Sequence, residues 1–229
     1  MHMRTDFHIL AFWVFFLTFA STAFAAPASD PVAEAVQKRY AAITTMKSSF
    51  TQTLVHKESG GKEQRSGVLF FAKPMQVRWE TQNPAPELLL VTSTAIWNVF
   101  PDENVAYKYA PTLGDDAKSI MQIITGQSPL HKDFFIENKG RENNRAKLVL
   151  IPKEPNQSLV EATIWVEEAT GLIKQVIIVD FYYNQNEIHF GAQEIDAQLP
   201  SSTFIYNPPN TMKIEDRSAS GVLQKPLMQ

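Results

Sequence analysis

The stretch Gly67-Val68-Leu69-Phe70-Phe71-Ala72-Lys73-Pro74-Met75-Gln76-Val77-Arg78-Trp79-Glu80 decides how the rest of the chain is read. Met75, Val77 and Trp79 alternate with Gln76, Arg78 and Glu80, which is the period of a half-buried strand with one apolar and one wet face. Pro74 stops the strand before it and sets up a tight return. The fold is therefore expected to be built from antiparallel strands.

Working outward, the same period of two holds on both sides. Strands are predicted over 49–56 and 64–73, with Glu58-Ser59-Gly60-Gly61-Lys62 as the hairpin turn between them. Pro84 and Pro86 precede a strand at 88–92, and Pro101-Asp102-Glu103-Asn104 turns 96–101 into 104–109. Further strands are predicted at 133–138, 145–152, 160–167, 173–181 and 187–195, with 203–206 a short edge strand. Asn207-Pro208-Pro209-Asn210 then closes the regular part. Phe70, Phe71, Trp79, Trp97, Phe100, Trp165 and Phe181 fall in these predicted strands, and Tyr182 and Tyr183, directly after the 173–181 strand, are read as its continuation. On 64–71 and 160–167 both alternation classes carry large apolar groups. Such strands either fill a core or present one face to a ligand, and periodicity favours the core.

Two helices break the pattern. Asp30-Pro31 offers a capping side chain and a first-turn proline, and Val32, Val36, Tyr40, Ile43 and Met46 follow at helical spacing over 31–46. Asp115 and Asp116 open a second helix in which Ala117, Ile120, Met121 and Ile124 share a face, ended by Gly126. An all-antiparallel sheet of roughly ten or eleven strands must curl. The expected architecture is thus an unclosed half-barrel, with short amphipathic helices covering its concave side.

The bulk numbers narrow the function classes. A chain of 229 residues at 25.8 kDa, 44% hydrophobic and 20% charged, suits one globular domain. With net charge −3 and a pI of about 6.0 it has no field for a phosphate backbone, so nucleic acid is not an expected partner. Arg4, an apolar run over 9–20 and Ala23-Phe24-Ala25 read as a cleavable signal peptide over 1–25. Residues 26–229 are then one exported domain. It has no cysteine, hence neither disulfides nor a site for its own lipidation. No basic amphipathic helix is evident, so membrane contact is expected only through partner complexes.

Catalytic chemistry finds no foothold in the sequence. His56, His131 and His189 lack any local metal spacing, and His189 sits between Ile188 and Phe190 on the polar side of a strand. Nucleophile elbows, P-loops and dinucleotide fingerprints are absent. The carboxylate pairs Asp115/Asp116, Glu167/Glu168 and Glu215/Asp216 lie beside turns or helix starts and read as solvated. No catalytic residue, cofactor or metal is expected.

Four segments in order carry a resemblance to the outer-membrane lipoprotein carrier family (LolA). Ser49-Phe50-Thr51-Gln52 after an amphipathic helix resembles that family's opening strand. The quoted 67–80 stretch resembles its G-x-L-x-x-x-R-P-x-x-F-R-W-E segment. Trp97 with Pro101 and Val105 resembles its L-W-x-Y-x-P pair, and Phe204-Ile205-Tyr206-Asn207-Pro208-Pro209, followed by Asp216, its closing F-x-x-x-P-P element. The resemblance runs from about residue 32 to 217.

It implies a periplasmic, non-enzymatic carrier. Acylated lipoproteins would be its cargo, an ATP-driven inner-membrane release complex its donor and an outer-membrane lipoprotein its acceptor. It further implies a lipid-binding cavity, for which the candidates are Phe70, Val77, Trp79, Trp97, Ile120, Met121 and Ile124. Val77 and Trp79 would face the ligand, and Arg78 and Glu80 water. Lys73 stands where the family has an arginine that latches the lid, and Val77 where it has phenylalanine. The monomer is the expected state. The alternatives are a half-barrel module that senses lipid or envelope proteins without transporting them, and a hydrolase on an unfamiliar scaffold.

Overall fold

The computed structural model describes residues 30–111, 123, 130–154 and 157–219. It opens on helix α1, Pro31–Ala42, capped by Asp30, whose carboxylate accepts from the Val32 and Ala33 amides at 2.9 and 3.0 Å. Glu34 in the first turn and Arg39 in the last suit the helix dipole. The helix ends before the expected residue 46. Ile43 is already extended, with φ −68° and ψ 128°, and Thr44 and Thr45 follow in a β-branched run that prefers a strand. Met46 is buried as expected, but from a strand.

Twelve strands then form one sheet among the described residues. They are β1 Thr45–Val55, β2 Lys62–Ala72, β3 Gln76–Asn83, β4 Glu87–Val91, β5 Ile96–Phe100 and β6 Val105–Tyr109. After the one-turn helix α2, Leu130–Asp133, come β7 Phe134–Glu142, β8 Arg145–Pro152, β9 Glu161–Glu167, β10 Leu172–Val179, β11 Gln185–Ile195 and β12 Lys213–Asp216. The order is β12-β6-β5-β4-β3-β2-β1-β11-β10-β9-β8-β7. Its edges, β12 and β7, do not pair with each other, so the sheet is unclosed.

Three expectations about the strands are corrected. The sheet is mixed, because β12 pairs with β6 in parallel. Residues 201–204 form a 3₁₀ turn rather than an edge strand. Regular structure also resumes beyond Asn207-Pro208-Pro209-Asn210. The prolines carry the chain back along the sheet end, and the Lys213 amide reaches the Asn104 carbonyl at 3.0 Å to start β12.

One large apolar cluster covers the inner face of the sheet and includes Ala33, Val36 and Tyr40 of α1, Leu130 of α2, and Ile123. Ile123 is helical and fully buried. The rest of the expected second helix, with Ile120, Met121 and Ile124, lies outside the described residues.

A candidate apolar ligand face

Register decides which side chains meet. The turn Lys73-Pro74-Met75 opposes Ala72 to Gln76, so Phe71 faces Val77 and Leu69 faces Trp79 on one side of the sheet. That side is the inner one: all four belong to the large cluster and none is more than 4% exposed. Phe50 from β1 joins them, its ring centroid 4.1 Å from that of Trp79 at an interplanar angle of 36°. The inner face is thus floored by aromatic and branched side chains and roofed by α1, Ile123 and Leu130.

The roof is tied to the sheet at separate points. The Lys73 ammonium donates to the Ala41 carbonyl in the last turn of α1, where the helix dipole favours a cation. The Tyr40 hydroxyl accepts from the Ile173 amide of β10 at 3.2 Å, and burial pushes its pKa up to about 12. Asn138 of β7 donates to the second oxygen of the Asp30 cap at 2.8 Å. Thr44, just past the helix, gives its amide and hydroxyl to Asp196, and these donors hold that carboxylate below its ordinary pKa. Gly171, at φ +69°, lies so close to α1 that an added Cβ would stand 3.0 Å from the Ala35 carbonyl oxygen.

Phe70 and Trp97 lie on the opposite side from Val77 and Trp79. Phe70 is half-buried and stands in register with Lys47 and Arg78. Trp97 opposes Leu90 and Lys108, and packs edge-to-face on Tyr206 with centroids 5.3 Å apart. There Leu88, Leu90, Val99 and Ala106 form a second cluster, closed over by Phe204, Tyr206 and Met212. The second apolar face of these strands is therefore covered by the chain's own C-terminal segment. Arg78 pins that segment by donating to the Thr203 carbonyl at 3.2 Å while pairing with Glu80. So the Arg78/Glu80 side is a half-covered seam rather than open water.

His189, Glu167, Glu168 and Glu215 sort as surface structure. His189 meets Glu187 at 2.7 Å on the exposed side of β11. Glu168 is held in its charged form by Arg141 and Glu167 by the Thr170 hydroxyl, both at the β9–β10 turn. Lys213 and Arg217 do the same for Glu215. Among the described residues no group of three His, Asp or Glu side chains could hold a metal ion. Asp115 and Asp116 lie outside the described residues.

The family model described as "Outer membrane lipoprotein carrier protein LolA" matches residues 41–207. An outer-membrane lipoprotein carrier protein of Chromobacterium violaceum is 23% identical over 191 residues, covering 83% of this chain and 90% of that one. That of Dechloromonas aromatica is 23% identical over 167 residues, 72% of this chain and 78% of the relative. Among solved structures, an uncharacterized conserved protein of Thermus thermophilus superposes with a TM-score of 0.53 at 13% identity. It covers 81% of this chain and 97% of its own, a likeness of fold. The matched segment runs from the last turn of α1 to Asn207, just past Phe204 and Tyr206 of the covering C-terminal segment 203–212, a strap over the outer face, and the chain belongs to the outer-membrane lipoprotein carrier (LolA) family.

Proposed function

We propose that this chain is a periplasmic carrier that shields the acyl chains of lipoproteins released from the inner membrane and delivers them to an outer-membrane acceptor. Each exposed CH₂ costs ~0.8 kcal/mol in water, so a lipidated N-terminus needs an apolar enclosure to cross an aqueous space. The enclosure must also yield its contents, which calls for a cover that is held but not welded. The observation that carries this reading is the inner face itself. Phe50, Leu69, Phe71, Val77 and Trp79 are closed off by short helices tied at separate polar points, while the other apolar face is sealed by the chain's own strap.

In this reading Val77 and Trp79 wall the lipid space, Ile120, Met121 and Ile124 contribute to its roof, and Lys73 is the latch. Methionine suits a surface that repacks around different chains. The inner-membrane release complex consumes the ATP, so the carrier requires no catalytic residue. Phe70 and Trp97 are left out of the lipid wall because they lie on the strap side.

The test is a release assay. Inner-membrane vesicles bearing labelled lipoproteins and a working release complex are incubated with the protein, and soluble lipoprotein is counted. ATP-dependent appearance of a soluble complex with this chain is expected. Failure with a working release complex would sink the carrier reading and leave the lipid-sensing module first.

A further inference from the structure

The aromatic run Phe181-Tyr182-Tyr183 reads as strand from its composition, yet it forms the turn between β10 and β11. The three side chains are 62%, 66% and 67% exposed, the most exposed large apolar groups of the described residues apart from Phe135. Aromatic rings left in water at a loop tip are costly unless something covers them.

The turn is built to hold them there. Asp180 is buried, and one carboxylate oxygen accepts from the Tyr182 and Asn184 amides at 2.8 Å each, while the other accepts from the Asn184 side-chain amide at 2.8 Å. The Tyr183 amide donates to the Asp180 carbonyl at 3.0 Å, and the Phe181 amide to the Gln157 carbonyl at 2.9 Å. Tyr183 takes the left-handed conformation at φ +62°, unusual for an aromatic residue, and Phe181 and Tyr182 stack edge-to-face at 5.5 Å. Every backbone amide from 181 to 184 is thus satisfied inside the protein. The side chains of 181–186 carry no charge.

These features are the requirements for entering lipid. A backbone N–H stripped of water in an apolar medium costs several kcal/mol, and this tip has none to strip. Tyrosine places an apolar ring and a wet hydroxyl at the headgroup level, the preference that makes aromatic belts. The three rings stand largely in water at a loop tip, where they can enter a surface. Its neighbour, the β1–β2 turn, is joined to it through the Lys57 amide donating to Asn184 at 3.0 Å.

We infer that the 181–183 turn is a bilayer contact, seating Phe181, Tyr182 and Tyr183 in the interfacial layer of a phospholipid membrane. No helix among the described residues is long and apolar enough to cross a membrane. The contact requires neither cargo in the inner face nor a protein partner, contrary to the expectation that partner complexes alone bring the chain to membranes.

Protein recovered from the periplasm is mixed with protein-free vesicles of phosphatidylethanolamine and phosphatidylglycerol and floated on a density gradient. Wild type is expected to float with the vesicles, and the triple variant F181S/Y182S/Y183S to partition about tenfold more weakly or worse. The three side chains are exposed, so the variant's thermal midpoint should stay at the wild-type value. Should it fail to fold, Tyr182→Trp gives a second readout: relative to wild type, a blue shift of the added emission with vesicles and its quenching by brominated lipid. Equal flotation of wild type and triple variant, no flotation of wild type, or added Tyr182→Trp emission indifferent to vesicles would each overturn the inference. Binding to a membrane protein with none to bare lipid would assign the turn to a protein partner and overturn it equally.

Discussion

The two faces of strands β3–β6 make the same apolar demand and meet it in different ways. Outside, Leu88, Leu90, Val99 and Ala106 are covered by a strap that continues without a break into β12. The strap is fixed by backbone bonds: Lys213 to Asn104 at 3.0 Å and Arg217 to Lys108 at 2.7 Å, with the Asn104 side chain donating to the Thr211 carbonyl at 2.8 Å. Inside, Val77, Trp79, Leu89 and Ile96 share one apolar cluster with residues of α1, which adds no strand to the sheet and is tied to it through isolated polar contacts. A cover anchored at one end in the sheet's hydrogen-bond ladder can leave completely only when the ladder breaks. One that rests on packing and a few side chains can open while the sheet stays whole. That difference is why the proposed lipid site is assigned to the inner face.

The strongest test of this contrast removes a large side chain from each face. Trp79→Ala takes a ring that is 4% exposed from the floor and leaves Phe50 facing a void, at an expected cost of about 3–5 kcal/mol in urea unfolding. Trp97→Ala, half-buried beneath Tyr206, should cost about 1–2 kcal/mol. Equal costs would mean that the strap side is as deep a core as the helix side.

Tyr40 tests the roof from its own side. Tyr40→Phe leaves the buried Ile173 amide without its acceptor and should cost about 1–2 kcal/mol at neutral pH. The alkaline branch is more specific. With its pKa raised from 10.0 to about 12, Tyr40 keeps its proton in the fold where the unfolded chain has lost it. Its contribution is therefore complete below pH 10 and declines between about 10 and 12, by up to about 1.4 kcal/mol per pH unit. Subtracting the Tyr40→Phe stability curve from that of wild type should isolate this slope. A difference flat across that range would show that the phenol is not buried.

Much of this architecture is legible in the sequence, for identifiable reasons. Strict alternation in 76–80 and the bounds of β8 at Arg145 and Pro152 are fixed by side-chain chemistry that admits one reading. Where two apolar residues run together, chemistry leaves parity open. Phe70 and Phe71 look alike, and the three-residue turn that opposes Phe71 to Val77 settles the face. Large aromatics suggest a core, which points Phe70 and Trp97 inward, while the strap that gives Trp97 an outer cover is more than 100 residues away in the chain. The 181–183 turn escapes a reading by propensity because three strand-favouring aromatics outweigh Asp180 and Asn184, the bracketing pair whose side chains close it. β12 escapes it because Pro208 and Pro209 signal an end, and parallel pairing to β6 is a tertiary fact.

The strap has its own breaking point at Arg78. Arg78→Met keeps the stem and removes the donors to Thr203 and Glu80. The site is partly exposed, so a loss of about 1 kcal/mol is expected. Because β12 remains paired to β6, hydrogen exchange should quicken at Ile205 and Met212 before it does at Lys213 or Arg217. A uniform change across these amides would show that strap and edge strand open as one unit.

The smallest expected change in stability is at Lys73, and it separates the two covers most sharply. The side chain is exposed and its acceptor is a helix-terminal carbonyl, so Lys73→Met should move the unfolding free energy in urea by less than about 1 kcal/mol. The Ala41 carbonyl regains water when the ammonium is gone, so no buried group is stranded. If the helices are a cover resting on the sheet, this near-silent change should still lower the cost of lifting α1. Amide exchange in 34–42 should then accelerate several-fold while that in β1–β3 stays at the wild-type rate. Lys73→Arg should restore protection, since a guanidinium reaches the same carbonyl and offers further donors to the open end of the helix. If helix and sheet amides accelerate together, α1 belongs to the same cooperative unit as the strap, and the inner face has no cover of its own to open.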